Sequence, residues 1–247
     1  MTFDAHPRSS LIVALDFDSL SSAVKFAKQV ADLVGLFKIG SQLFTAAGPA
    51  GVKEIAALGP GIFLDLKFHD IPNTVAGAVL SAAAMNGVQL VNVHALGGSA
   101  MLKAAVQAIS AGVPLGLDRP RLLAVTILTS MDQKTMREVG ITGAPKSSVA
   151  KLAKLAKTCG VDGVVASVQE AKAVRKVCGR DFLIVTPGVR PKVDGPNGKT
   201  DDQSRTATPA EAIRAGADYL VVGRPILAAE DPRAAAQSVV DEIAAAK

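Results

Sequence analysis

Short, wholly apolar runs alternate along the chain with longer Ala-rich segments whose apolar residues recur at helical spacing. Runs at 11–15, 36–39, 61–67, 89–93, 122–126, 163–166, 182–185 and 219–222 predict eight strands. Helices are predicted near 20–34, from the second strand to about 58, and at 74–86, 97–111, 132–139, 147–158, 168–178 and 232–246. The strand runs are apolar throughout rather than alternating, which suits parallel strands covered on both faces. No composition shift or linker interrupts the repeat. The pattern therefore predicts an α/β fold, a single (β/α)8 TIM barrel spanning 1–247 as one catalytic domain. A doubly wound open sheet is the rival. Asp16, Lys38, Asp65, Lys67, His94, Thr126 and Gly223 stand at the carboxyl ends of six of the runs, Asp65 and Lys67 sharing one. A closed barrel gathers those ends at one mouth, whereas an open sheet spreads them along a line.

Composition narrows the picture. The 247 residues suit a barrel, which typically takes about 250. With 49% hydrophobic residues, 4% aromatics and no Trp, the core must be filled mainly by Ala, Val, Leu and Ile. The net charge is +5, without the basic runs or interleaved aromatics of a nucleic-acid surface, so no nucleic-acid partner is expected. Cys159 and Cys178 have no CxxC partner or metal-ligand spacing and read as reduced structural thiols. The first ten residues are polar, His6 among them, and read as a tail without a secretory signal. No apolar stretch approaches the roughly 18–20 residues of a membrane span, so a soluble cytoplasmic protein is expected. No His/carboxylate cluster has metal-site spacing.

The charged residues carry the chemistry. Asp65 and Lys67 lie two apart on a strand and so share a face. Lys38 ends the neighbouring strand, Asp16 the one before, and Asp70 follows in the loop. One reading is an ion-pair network that staples the barrel. The other is a site in which a lysine held as an ammonium stabilises a developing carbanion and then protonates it. An ammonium cannot act as a Schiff-base nucleophile. It supplies the positive charge itself, so neither a metal nor another cofactor is expected. A second cluster fits a phosphate. The Gly- and Pro-rich loop 187–206 carries Arg190, Lys192, Lys199, Gln203 and Arg205, and Val222-Gly223-Arg224-Pro225 follows the eighth strand. Barrels often hold phosphate around the loops after strands seven and eight.

Asp65-Leu66-Lys67-Phe68-His69-Asp70-Ile71-Pro72-Asn73-Thr74 resembles the signature of the orotidine 5'-phosphate decarboxylases. The resemblance runs from Leu11-Ile12-Val13-Ala14-Leu15-Asp16 through Phe37-Lys38-Ile39-Gly40, Val93-His94 and Val125-Thr126-Ile127-Leu128-Thr129-Ser130. It continues to Thr186-Pro187-Gly188-Val189-Arg190-Pro191, Asp201-Asp202-Gln203 and Val222-Gly223-Arg224-Pro225. It implies cofactor-independent decarboxylation of a nucleotide to uridine 5'-phosphate, the last step of pyrimidine nucleotide synthesis, by a homodimer. Asp16 and Lys38 would hold ribose hydroxyls, Asp65 would face the substrate carboxylate, and Lys67 would protonate C6. Asp70 and Thr74 would reach into the neighbouring subunit's site. Thr129 or Ser130 would meet the pyrimidine, Gln203 would bridge pyrimidine and phosphate, and Arg190, Gly223 and Arg224 would bind the phosphate. His69 and His94 read as supporting residues. The stretch 192–202 is longer than in short bacterial members. Two other readings stay open: a sugar-phosphate decarboxylase or aldolase-type synthase that needs Mg2+, and a non-catalytic phosphate binder. The residues after Asp70 favour the nucleotide enzyme.

Overall fold

The computed structural model describes residues 6–191 and 207–247. Its strands are β1 (Leu11–Ala14), β2 (Leu36–Gly40), β3 (Gly61–Phe68), β4 (Val88–His94), β5 (Arg121–Val125), β6 (Gly163–Val165), β7 (Leu183–Thr186) and β8 (Tyr219–Val222). They pair in parallel in chain order. β8 returns to β1, with Leu11 beside Leu220 and Val13 beside Val222, so the sheet closes and the open-sheet alternative falls. The helices are α1 (Leu20–Val30), α2 (Ser41–Ala56), α3 (Pro72–Ala83), α4 (Gly98–Ala111), α5 (Gln133–Glu138), α6 (Pro145–Thr158), α7 (Val168–Cys178), α8 (Pro209–Arg214), α9 (Arg224–Leu227) and α10 (Pro232–Ala244).

Strand alternation divides the core in two. Ile12, Leu36, Phe63, Leu90, Leu123 and Val185 fill the barrel interior. Their neighbours Val13, Phe37, Leu64, Val91, Ala124 and Ile184 join the larger core that includes the helices. The apolar runs are thus explained by burial on both faces. The interior layer is solid, so any ligand must sit above it, at the carboxyl ends of the strands.

Three local features depart from the expected elements. α2 is not one straight helix, because Gly48 leaves helical geometry (φ 58, ψ −159) just before Pro49. Proline disfavours a helical residue ahead of it, and glycine accepts the left-handed turn. α8 was not expected. It is set by a capping box in which Thr208 Oγ1 accepts from Glu211 N–H at 3.2 Å and the Glu211 carboxylate accepts from Thr208 N–H at 2.8 Å. His6, expected in a tail, caps the one-turn helix Pro7–Ser10, accepting from Arg8 N–H. Cys159 and Cys178 are free and buried, as expected. Among the described residues no helix is long and apolar enough to cross a membrane.

A close approach of two strand backbones gives a test. A Cβ on Gly163 would stand 2.5 Å from both the Cβ and the carbonyl oxygen of Leu183. Backbone oxygen cannot swing aside, so Gly163→Ala is expected to destabilise the fold by about 1–3 kcal/mol in urea unfolding. A loss below about 0.5 kcal/mol would mean that β6 and β7 part easily.

Candidate active site

The site begins with an irregularity in β3. Leu64 pairs with Val91 and Phe68 with Val93, so Asp65, Leu66 and Lys67 together stand opposite Asn92. This is a bulge with two extra residues. Within it Lys67 takes φ 53, the only non-glycine at positive φ among the described residues. The expectation of a regular strand is therefore corrected. Asp65 and Lys67 do converge, but through a bulge rather than through simple alternation.

Four charges form an alternating row. Lys38 Nζ lies 3.0 Å from Asp16 Oδ1 and 3.5 Å from Asp65 Oδ2, and Lys67 Nζ lies 2.8 Å from Asp65 Oδ1. The Lys38 and Asp65 side chains are each 12% exposed, whereas Asp16 is 51% and Lys67 38% exposed, so the row is buried at its centre and open at both ends. Asp65 accepts a third contact, from Asn92 Nδ2 at 2.6 Å. Asn92 itself is fully buried, and its Oδ1 accepts from Lys67 N–H at 2.8 Å. Sequence reasoning passed over Asn92. The available signal was an amide inside the apolar run Leu90-Val91-Asn92-Val93, where an unpartnered polar group is costly.

The row forms one wall of a cavity of about 310 Å³. Val125, Ile127, Val165 and Val221 line the other side, and Thr129 and Ser130 lie on the rim after β5. Arg190, Gly223 and Arg224 line the end formed by the loops after β7 and β8. Arg190 is anchored there, since its N–H donates to Ala207 O at 2.9 Å beside a Val189–Ala207 bridge. α9 is a single turn, so the positive charge at this end comes from the guanidiniums more than from helix amides. Gln203 lies outside the described residues.

Other expected residues stand apart. Thr126 faces away from the cavity and donates to Val165 O at 2.9 Å. Asp70 and Thr74 are exposed and do not line their own chain's cavity. Asp70 Oδ1 accepts from Ile71 N–H at 2.6 Å. Among the described residues no group of three His, Cys, Asp or Glu side chains could hold a metal ion.

His94 ends β4 and does not line the cavity. Its ring stacks on His69 with centroids 5.2 Å apart, and its Nδ1 accepts from Leu96 N–H. Burial first, then the charges of His69 and Lys67, lowers its pKa from 6.5 to about 4. The unfolded chain therefore binds a proton that the folded chain refuses between those values. Stability from this source is complete above pH 6.5 and is lost as pH falls toward about 4. His94→Gln is expected to flatten that part of the pH dependence of thermal unfolding. An unchanged slope would show that His94 does not carry it.

A closed parallel barrel with a charge row, buried at its centre, at the mouth and two arginines at the seventh and eighth loops defines an enzyme-type site suited to an anionic small molecule. The chain belongs to the orotidine 5'-phosphate decarboxylase / HUMPS family, whose model matches residues 9–239. It is 52% identical over 235 residues to the orotidine 5'-phosphate decarboxylase of Geobacter sp. (strain M21), covering 95% of this chain and 96% of that one. The decarboxylase of Trichlorobacter lovleyi (strain ATCC BAA-1151 / DSM 17278 / SZ) is 53% identical over 238 residues, 96% of each chain. The crystal structure of orotidine 5'-phosphate decarboxylase from Lactobacillus acidophilus superposes with a TM-score of 0.82 at 41% identity, covering 94% of this chain and 98% of that one.

Proposed function

We propose that the chain decarboxylates orotidine 5'-phosphate to uridine 5'-phosphate and CO2, without a cofactor, in the cytoplasm. The observation that carries the reading is the Asp16–Lys38–Asp65–Lys67 row inside a cavity ending at two arginines. Relatives that bear the decarboxylase name at 52–53% identity over nearly their whole length support it against the sugar-phosphate reading.

The roles follow from position. Arg190 and Arg224 take the phosphate, with Gly223 allowing close backbone approach; Gln203, outside the described residues, takes its bridging role between phosphate and pyrimidine from the family resemblance. Asp16 and Lys38 take ribose hydroxyls, and Thr129 and Ser130 meet the far side of the ring. The C6 carboxylate then lies against Asp65 and Lys67. The C6–carboxyl bond breaks, CO2 leaves, and the electron pair stays on C6. A proton moves from Lys67 Nζ to C6, and the resulting amine regains one from water.

Magnitudes separate the contributions. Two unit charges about 4 Å apart interact by about 4 kcal/mol at an effective dielectric near 20. Repulsion between Asp65 and the substrate carboxylate is offset by the ammoniums on either side of Asp65. Attraction between Lys67 and the carbanion grows as the bond breaks, and only such a difference speeds the step.

Asp70 and Thr74, exposed beside the mouth, complete the site of a second copy in a homodimer. Ile71, 66% exposed between them, gives that contact an apolar anchor.

The primary test is loss of orotidine 5'-phosphate absorbance in the presence of EDTA. Turnover is expected, and a strict Mg2+ requirement would favour the sugar-phosphate reading instead. Lys67→Ala is expected to stay folded and to lose at least about 10⁴-fold in kcat, since it removes both proton donor and counter-charge. Mixing inactive Lys67→Ala and Asp70→Ala chains should restore activity toward about a quarter of the native level, because each hybrid dimer holds one whole site. No recovery despite proven subunit exchange would refute the shared site.

A further inference from the structure

We propose that Asn92 is the positioning residue that keeps the catalytic pair Asp65 and Lys67 in register, acting through them from below the cavity lining. This rests on the decarboxylase reading above. No part of Asn92 lines the cavity, and the residue is fully buried, so it does not meet substrate.

Both ends of its amide are committed to the pair. Nδ2 donates to Asp65 Oδ1 at 2.6 Å, and Oδ1 accepts from Lys67 N–H at 2.8 Å. The orientation of the amide follows from these partners. A flipped amide would set its oxygen against a carboxylate and its NH2 against an N–H. The contacts do different work. The first fixes the plane of the Asp65 carboxylate, leaving Oδ2 toward Lys38 while Oδ1 also meets Lys67 Nζ. The second takes up the Lys67 N–H, which the bulge removes from the ladder with β4. That N–H belongs to a residue held at φ 53, a conformation that L side chains rarely adopt. Asn92 therefore holds the backbone turn that aims Nζ and the carboxylate that Nζ meets. One side chain couples the proton donor to its counter-charge.

A buried amide that merely satisfies its own hydrogen bonds would matter for stability alone. Positioning makes further demands, and two variants read them. Asn92→Asp keeps the shape and the acceptor for Lys67 N–H. It loses the donor to Asp65 and brings a second carboxylate against it. Asn92→Ala removes both contacts and leaves room at the bulge. Each is checked for folding by thermal unfolding and assayed below its melting temperature. Both are expected to lose on the order of 10²-fold in kcat, the scale of a small misplacement of reacting groups. The Kd for uridine 5'-phosphate should stay within about threefold, because phosphate binding lies elsewhere in the cavity. A crystal structure of Asn92→Ala should show Lys67 leaving positive φ and the 2.8 Å contact between its Nζ and Asp65 opening.

The proposal is overturned if the folded variants keep kcat within about threefold, or if kcat and product affinity fall in parallel. It is equally overturned if Lys67 keeps its conformation and contact in Asn92→Ala, or if neither variant folds, which would make the role structural. The native protein is the control. If it fails to decarboxylate orotidine 5'-phosphate, the functional reading falls, and the crystal structure alone judges the clamp.

Discussion

A carboxylate sunk at the base of a cavity has to be surrounded by donors, and Asp65 meets that demand with residues from three strands. An unpaired buried charge costs several kcal/mol even after relaxation. Lys38 comes from β2, Asn92 from β4, and Lys67 from the same strand as Asp65. Their heights follow from register. Lys38 pairs with Phe63, one layer below Asp65, so its long side chain rises to reach the carboxylate. Gly40 is the residue paired with Asp65, and a Cβ there would stand 3.0 Å from Lys38 Nζ and 3.6 Å from Asp16 Oδ1. The missing side chain leaves the ammonium its place between the two carboxylates. Barrel closure and the charge row thus depend on the same pairings.

The mouth is electrically lopsided. The row comes from the ends of β1 to β3, backed by β4, whereas Val125, Val165 and Val221 keep β5, β6 and β8 apolar around the cavity. A low-polarity wall strengthens every interaction of the row across from it. The row carries two carboxylates and two ammoniums, so it is formally neutral before a ligand arrives. The arginines are set at the loops after β7 and β8, with Gly223 beside Asp16, whose Oδ2 lies 3.8 Å from where a Cβ on that glycine would stand. The proposed substrate, with an anion at each end, would meet the arginines at one end and, at the other, a balanced row that responds to changes in its charge.

Much of this was legible in the sequence, for physical reasons. Eight fully apolar runs alternating with helical segments suit parallel strands covered on both faces, and a closed sheet gathers the polar residues at their carboxyl ends at one mouth. Asp16, Lys38, Asp65 and Lys67 were found because charge at the end of an apolar run conflicts with burial. The rest depended on pairing. The bulge opposite Asn92 arises from the slip between β3 and β4, which no property of β3 alone encodes. Thr126 sat at a strand end like the others but fell on the outward face, one residue out of phase with Val125 and Ile127. α8 was local after all. Its Thr-Pro-Ala-Glu start is a capping signal that the surrounding polar loop obscured.

The bulge itself argues that the Lys67 ammonium is needed where it stands. At φ 53 glycine would sit without strain, whereas a residue with a side chain there costs on the order of 1–3 kcal/mol. A regular strand would remove the cost, and it would still place residues 65 and 67 on one face, with Cα atoms nearly 7 Å apart. Lysine remains at the strained position, and a fully buried amide is spent on securing it. A network whose only task was to staple the barrel would be better served by the relaxed strand, since its charges could pair across the sheet without the bulge. The strained turn makes sense when one particular atom, Lys67 Nζ, has to be aimed at one particular place. Local preference and tertiary structure disagree at that residue, and such disagreement is expected where a chain gives up stability for chemistry.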